Sequence, residues 1–352
     1  MKIDKNELSK KIGQLKSVVS KTITNEALKG ILVENGYLIA SNTELTVKAK
    51  IEGTEGEKFI IPAKAFELIS NLPAGEVSII GANNEVTIQM GKINNKFKTN
   101  PVENFTYTRT SIESANEASV PAEKLKAAIA HVIYAIPATA GNAVMAGMNI
   151  SCSDGKMNFV GLDGHRIAWD CIDYDNKFDL IIPKAAVEKI LQLDLQGNVS
   201  IAFDTLGAVF ETEEFEVYTR LIQGEYFKYN SMFSEGSIIT VVDRKEFLES
   251  INRAKLCGAM EDKSPVVLTV SGSTIHIEYK NAQADYEEEI VTQMEVDKSV
   301  KIGFNPNLLI ESLKAFECEN VSLAFENGKR PAIIRAEDSD MTALVLPCSV
   351  KE

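Results

Sequence analysis

The chain has 352 residues, 45% hydrophobic and 25% charged, a composition that fits two or three globular domains of ~100–200 residues and excludes a disordered or fibrous chain. Fifty acidic residues against 37 basic ones leave a formal net charge of −13, which excludes a surface broadly coated with phosphate-attracting charge. No apolar run approaches the ~18 residues of a membrane span, residues 1–8 lack a signal-peptide core, and the five scattered cysteines form no Cys-x-x-Cys pair, so the sequence predicts a cytoplasmic protein with buried free thiols and neither disulfide framework nor zinc ribbon.

In chain order, the first predicted element is a helix over 5–21, where Leu8, Ile12 and Leu15 share one face at i, i+4 and i+7. GILVENGYLIAS, residues 30–41, is a strand pair around Asn35-Gly36, two residues able to take positive φ and close a hairpin. FIIPAKAFELISNL, 59–72, is a short apolar strand running through Pro62 into a helix over 63–72; proline suits a first helical turn because its missing N–H would be unpaired there. The pattern then returns. Leu125, Ile129 and Val132 mark a helix over 122–135, GMNISCSDGKMNFVG (147–161) a hairpin about Asp154-Gly155, and LIIPKAAVEKILQL (180–193) a strand, Pro183 and a helix over 184–193. A third round places Phe247, Ile251 and Ala254 in a helix over 244–256, a turn at Ser271–Ser273 within VVLTVSGSTIHIEY (266–279), and Asn305 as N-cap of a helix over 305–316.

The beat is regular: Leu125 follows Leu8 by 117 positions and Phe247 follows Leu125 by 122, while Pro62, Pro183 and Asn305 are 121 and 122 apart. A fixed period of this kind marks a repeat architecture. The chain is therefore expected to be three α+β units, about 1–117, 118–237 and 238–352, each with two helices and antiparallel sheet, packed rigidly end to end.

Positive charge gathers in the helices. Residues 5–21 carry Lys5, Lys10, Lys11, Lys16 and Lys21 against Glu7, a net +4; 122–135 and 184–193 carry +1 each, 244–256 carries +2, and 63–72 and 305–316 are neutral. These segments total +8, so the remainder holds −21. Helices commonly expose lysine to water, but here the excess recurs at matching positions of the units. If the first helices share a side, that side can track phosphates without reading sequence.

Several local sequences carry a resemblance. Gly161-Leu162-Asp163-Gly164-His165-Arg166-Ile167-Ala168, Tyr218-Thr219-Arg220-Leu221-Ile222-Gln223-Gly224-Glu225-Tyr226, Ile302-Gly303-Phe304-Asn305-Pro306, Leu344-Val345-Leu346-Pro347 and the opening Met1-Lys2-Ile3 together resemble, in order and spacing, the beta subunit of bacterial DNA polymerase III, the sliding-clamp family. The resemblance runs the full length. It implies an α+β DNA-clamp fold: a head-to-tail ring of two protomers, six similar domains and twelve helices around a central hole, encircling double-stranded DNA independently of sequence. A sheet edge left open at each end of a three-unit arc is an aggregation hazard that head-to-tail pairing removes.

For the helices, the resemblance makes Lys10, Lys11, Lys16, Lys124, Lys126, Lys184, Arg253 and Lys255 the candidate DNA contacts. It also implies a hydrophobic cleft that receives short peptides from the replicative polymerase alpha subunit, clamp-loader subunits and repair proteins. The matching positions are Met145, Leu162, Gly164, His165, Arg166, Ile167, Phe227, Ser231, Met232, Leu344, Leu346, Pro347 and Cys348. Methionines suit a site with several partners because unbranched thioethers repack. Phe105 is expected at the junction between protomers. No catalytic residue, metal, cofactor or membrane is implied. This sequence departs from the family pattern at Thr22, where arginine is frequent, at Phe227, where proline is usual, and at Ser231 and Ser349, where a basic residue is common.

Two other readings stand beside this one. Asp163, His165 and Arg166 could form a hydrolytic group, but the chain has three histidines and no Gly-x-Ser-x-Gly elbow, P-loop or His-Glu-x-x-His to accompany them. The alternative is a tight Asp163-Gly164 turn with His165 and Arg166 on the cleft rim. A clamp-like scaffold that binds partners without being loaded on DNA is the second reading, motivated by Thr22 and by the modest charge of the later helices. Aromatics do not interleave with the lysines, so base stacking is not expected; Tyr107, Phe210 and Phe215 are expected in the core or an interface, and Trp169 beside the cleft.

Overall fold

The structure, a computed structural model, describes residues 1–19, 22, 24–107, 112, 116–258 and 264–350. It divides into two compact units, Met1–Leu125 with Glu188–Leu221 and Lys126–Val187 with Ile222–Glu352. The middle third of the chain contributes to both.

The first unit holds two antiparallel sheets. One has the order Lys2–Asp4, Glu76–Ala82, Glu85–Met90, Ile93–Lys98; the other has eight strands in the order Lys58–Pro62, Gly30–Glu34, Tyr37–Ser41, Leu45–Lys50, Phe215–Arg220, Gly207–Glu211, Asn198–Phe203, Asn116–Pro121. The hairpin around Asn35 and Gly36 forms as the sequence predicts, with φ of 49° and 85° and Glu34 opposite Tyr37. At the middle of the large sheet Phe215 pairs with Ala49 and Thr219 with Leu45, so strands 166 or more residues apart in the chain are hydrogen-bonded neighbours.

The second unit repeats the plan. Its eight-stranded sheet runs Phe178–Pro183, Gly147–Ser153, Lys156–Leu162, Arg166–Asp173, Thr342–Val345, Ala332–Ala336, Asn320–Phe325, Ile238–Asp243. The seam between distant segments recurs, Arg166 opposite Val345 and Trp169 opposite Thr342. Asp154 and Gly155 turn the hairpin there at φ 54° and 75°. Val266–Lys280 pairs with Asp285–Phe304, and the register breaks around Gly272, at φ 56°, where the sequence predicts a turn.

Six α-helices lie among the described residues: α1 Lys5–Leu15, α2 Phe66–Asn71, α3 Ala122–Val132, α4 Lys184–Gln192, α5 Arg244–Leu256 and α6 Pro306–Lys314. Each predicted helix is present, α5 with the predicted bounds and the other five shorter. α1 stops at Leu15 because Lys16 serves as its C-cap and Val18, only 2% exposed, turns back into the core. Lys16 therefore sits at the helix end, and Lys21 falls outside the described residues. Pro62 and Pro183 close strands instead of opening helical turns, whereas Asn305 caps α6 as predicted, its Oδ1 accepting from the Asn307 N–H at 2.9 Å.

The amphipathic faces account for the core. Leu8, Ile12 and Leu15 of α1, Leu125, Ile129 and Val132 of α3, and Phe247, Ile251 and Ala254 of α5 are all buried. None of the five cysteines is bridged; Cys152 is buried and the other four are half-buried. No helix among the described residues is long and apolar enough to cross a membrane.

Candidate functional site

In the second unit the turn Asp163–Arg166 links two strands. The Asp163 carboxylate accepts from the backbone N–H of His165 at 2.9 Å and of Arg166 at 3.0 Å, and Gly164 takes φ 84°, a left-handed conformation that glycine adopts at little cost. Across the seam, Leu346 N–H donates to the His165 carbonyl at 2.8 Å. Pairing of Arg166–Asp173 with Thr342–Val345 thus brings residues 162–167 against 344–346, and the segment after Tyr226 packs beside them.

The result is an apolar cavity of about 370 Å³ lined by Met145, Leu162, Gly164, Arg166, Ile167, Phe227, Met232, Leu344 and Leu346. These are nine of the thirteen residues expected in a cleft. Leu162, Ile167 and Leu344 form its buried floor, while Phe227, Met232 and Leu346 remain substantially exposed. His165, Ser231, Pro347 and Cys348 are not in the lining. The His165 side chain is exposed, the Ser231 hydroxyl donates to the Lys228 carbonyl at 3.3 Å, and Cys348 N–H is tied to the Gly303 carbonyl at 2.8 Å.

Below the floor, Trp169 lies within strand Arg166–Asp173, packed against Tyr229 and Phe233 at ring-centroid distances of 5.7 and 5.5 Å, its indole N–H bonded to Asn158 Oδ1 at 3.0 Å.

Arg166 is the charged residue of the lining, and it is 7% exposed. Its Nε donates to Asp163 Oδ2 at 2.9 Å, Nη1 to Glu311 Oε2 at 2.6 Å and Nη2 to the Tyr134 carbonyl at 2.8 Å, with the guanidinium 5.0 Å from the Tyr134 ring centroid. Burial pushes the Tyr134 phenol up to about 12. This arrangement disfavours the hydrolytic reading: the Asp163 carboxylate is taken up by Arg166 and the turn backbone and does not orient the His165 imidazole, as a general base would require. Glu311 and Tyr134 were not foreseen. Glu311 lies 145 positions from Arg166, and no local pattern announces that pairing.

The candidate basic residues divide into two groups. Lys16, Lys124 and Lys255 are exposed, and Lys126 is half-buried. Lys126 also interacts within the protein, and Lys10, Lys11, Lys184 and Arg253 have the following ties. Lys10 is exposed but bridges to Asp194 at 3.0 Å; Lys11 is buried, donating to the Lys50 carbonyl at 2.5 Å and to Glu214 at 2.8 Å; Lys184 donates to the Ile136 carbonyl at 2.5 Å. Arg253 forks onto Glu288, Nη2 to Oε1 at 2.5 Å and Nε to Oε2 at 3.2 Å, and holds that carboxyl down at about 2. Lys189, counted with the helical charge, is 3% exposed; it donates to the Gln14 carbonyl and the Ser17 hydroxyl at the end of α1, and burial lowers its pKa.

Phe105 does not stand at a surface. It is 6% exposed, in a cluster with Leu28, Leu32, Ile39 and Ile60 and edge-on to Tyr107, whose hydroxyl donates to Glu34. Phe210 and Phe215 are likewise buried.

Residues 119–228 match the family model for the central domain of the DNA polymerase III beta subunit, and residues 233–349 match the model for its C-terminal domain. The chain is 24% identical to the beta sliding clamp of Bacillus subtilis over 373 aligned positions, covering 98% of each protein, and 26% identical to that of Chlamydia pneumoniae, covering 97% of each. Its fold is similar to the crystal structure of the Bacillus subtilis sliding clamp, with a TM-score of 0.91 at 22% identity and 99% coverage of both chains. A Pseudomonas aeruginosa sliding clamp bound to griselimycin gives a TM-score of 0.92 at 21% identity, again with 99% of each chain covered.

Proposed function

The chain belongs to the DNA polymerase III beta-subunit family, and from that premise we propose that it is a DNA sliding clamp: two copies close head to tail into a ring around duplex DNA and tether the replicative polymerase. It is a processivity factor in the cytoplasm with no catalysis of its own. Held by encirclement, it needs no tight contact with DNA, which accords with a net charge of −13.

The observation that carries this reading is the strand seam. Leu45–Lys50 joins Phe215–Arg220, and Arg166–Asp173 joins Thr342–Val345. Leu45 and Arg166 are 121 positions apart, close to the repeat period. One further step along the chain reaches Asp285–Val291, and one step back from Phe215–Arg220 reaches Ile93–Lys98. Among the described residues neither segment pairs on its outer side. Three modules, about 1–117, 118–237 and 238–352, therefore use up two seams internally and leave the two halves of a third, which a second copy joined head to tail completes. The halves are complementary in charge. Lys96 and Lys98 are exposed on one edge, Glu287 and Glu289 on the other.

The 370 Å³ cavity takes apolar side chains of short peptides from the polymerase alpha subunit, the loader and repair proteins. Methionines at its wall let it accept different sequences. Lys16, Lys124, Lys126 and Lys255 supply phosphate contacts, joined by Lys10, whose exposed bridge to Asp194 exchanges readily with solvent.

Changing Lys16, Lys124 and Lys255 together to glutamate tests the DNA path. Loading onto nicked circular DNA is expected to weaken, and its logarithmic dependence on salt to flatten by about 0.9 for each phosphate that is no longer neutralised. An unchanged salt slope would take these lysines off the path; peptide binding with no loading even in the unaltered protein would favour a scaffold that never encircles DNA.

A further inference from the structure

The two internal seams are built on the same turn and differ in the residue that follows it. At the first seam Asn42 Oδ1 accepts from the N–H of Glu44 at 3.2 Å and of Leu45 at 2.9 Å, Thr43 takes φ 77°, and Arg220 N–H donates to the Glu44 carbonyl at 3.0 Å. At the second, Asp163, Gly164 and the Leu346 N–H play those parts. Leu45, 5% exposed, then stands where the second seam has Arg166. A leucine there has every reason to stay in apolar surroundings. An arginine is drawn to charge, and three acceptors, the Asp163 and Glu311 carboxylates and the Tyr134 carbonyl, hold it.

We propose that Asp163 and Glu311 are positioning residues for peptide binding: together they clasp the Arg166 guanidinium away from the apolar cavity, and this clasp specialises the second seam for partner peptides. Glu311 does not line the cavity; it acts from α6 through Arg166. A buried guanidinium that loses an acceptor seeks another, and the nearest unfilled space is the cleft, where a charge disfavours apolar side chains. The inference rests on the cavity being the peptide site.

The test uses the full-length protein and a fluorescein-labelled synthetic peptide carrying a Leu-Phe pair, read by anisotropy, with thermal unfolding and solution mass recorded alongside. Glu311→Ala is expected to weaken the peptide by about tenfold, the size of one lost hydrogen bond to a charged group. Glu311→Gln, which keeps an acceptor oxygen, should recover part of that loss. Melting temperature and mass should stay put, because the Glu311 side chain is half exposed. In an Arg166→Leu background, which copies the first seam and removes the charge, Glu311→Ala is expected to have no further effect on peptide affinity, because the two changes act through one guanidinium. Wild-type affinity in Glu311→Ala, or an equal loss when Glu311→Ala is added to Arg166→Leu, would overturn the clasp while leaving the cleft in place. Failure of the unaltered protein to bind the peptide would instead overturn the cleft, and the clasp with it.

Discussion

Replacing Met145, Met232 and Leu346 together by alanine is expected to weaken an apolar partner peptide by about a hundredfold while leaving the protein folded and its solution mass unchanged. All three line the cavity, and Met232 and Leu346 are 50% and 37% exposed in the free chain. Truncation therefore removes little from the protein's own core but most of the surface a peptide would cover. At ~0.8 kcal/mol per buried methylene, partial loss of each side chain costs about 1 kcal/mol, and about 3 kcal/mol for the three corresponds to two decades in Kd. Calorimetric titration of the same peptide reads the effect; unaltered affinity would mean that peptides bind elsewhere.

A second large effect is expected at the edges proposed to join protomers. Lys96→Glu with Lys98→Glu places acids opposite Glu287 and Glu289, turning attraction into repulsion across a newly formed strand pair. The dimer dissociation constant should rise by about a hundredfold in sedimentation experiments at low salt, and the change should shrink as salt screens it. Mixing is the informative control. A protein bearing Glu287→Lys and Glu289→Lys should also dissociate, yet each should pair with the other through the edges that now complement. If the reversed proteins dimerise as tightly as the original, these edges do not meet.

How far the sequence foretold all this differs from place to place. The helices and hairpins were legible because their signals are local: an i, i+4, i+7 face, an Asn-Gly or Asp-Gly pair, an asparagine before proline. The seams were not, since Leu45–Lys50 and Phe215–Arg220 meet through tertiary pairing with no mark on either strand. All nine residues of the cavity lining were expected from the family resemblance, Met145, Phe227 and Met232 among them, although no periodicity reveals that their chain segments converge. The charges were the least legible. Counting basic residues on α1 and α5 says nothing about Asp194, Glu214 or Glu288, which lie 35 or more positions away and pair with Lys10, Lys11 and Arg253. Phe105 shows the same limit for apolar residues: an aromatic near a junction and an aromatic in the core look alike until the sheet that buries it is known.

The measurement closest to the central claim is retention of the loaded protein on DNA of two topologies. Loaded by its cognate loader onto nicked circles and then passed through a sizing column, the protein should stay with the circles and be lost once the same DNA is cut by a restriction enzyme, since a ring held by linkage slides off a free end. Equal retention on closed and cut DNA would show that it grips the duplex by affinity, and encirclement would be contradicted.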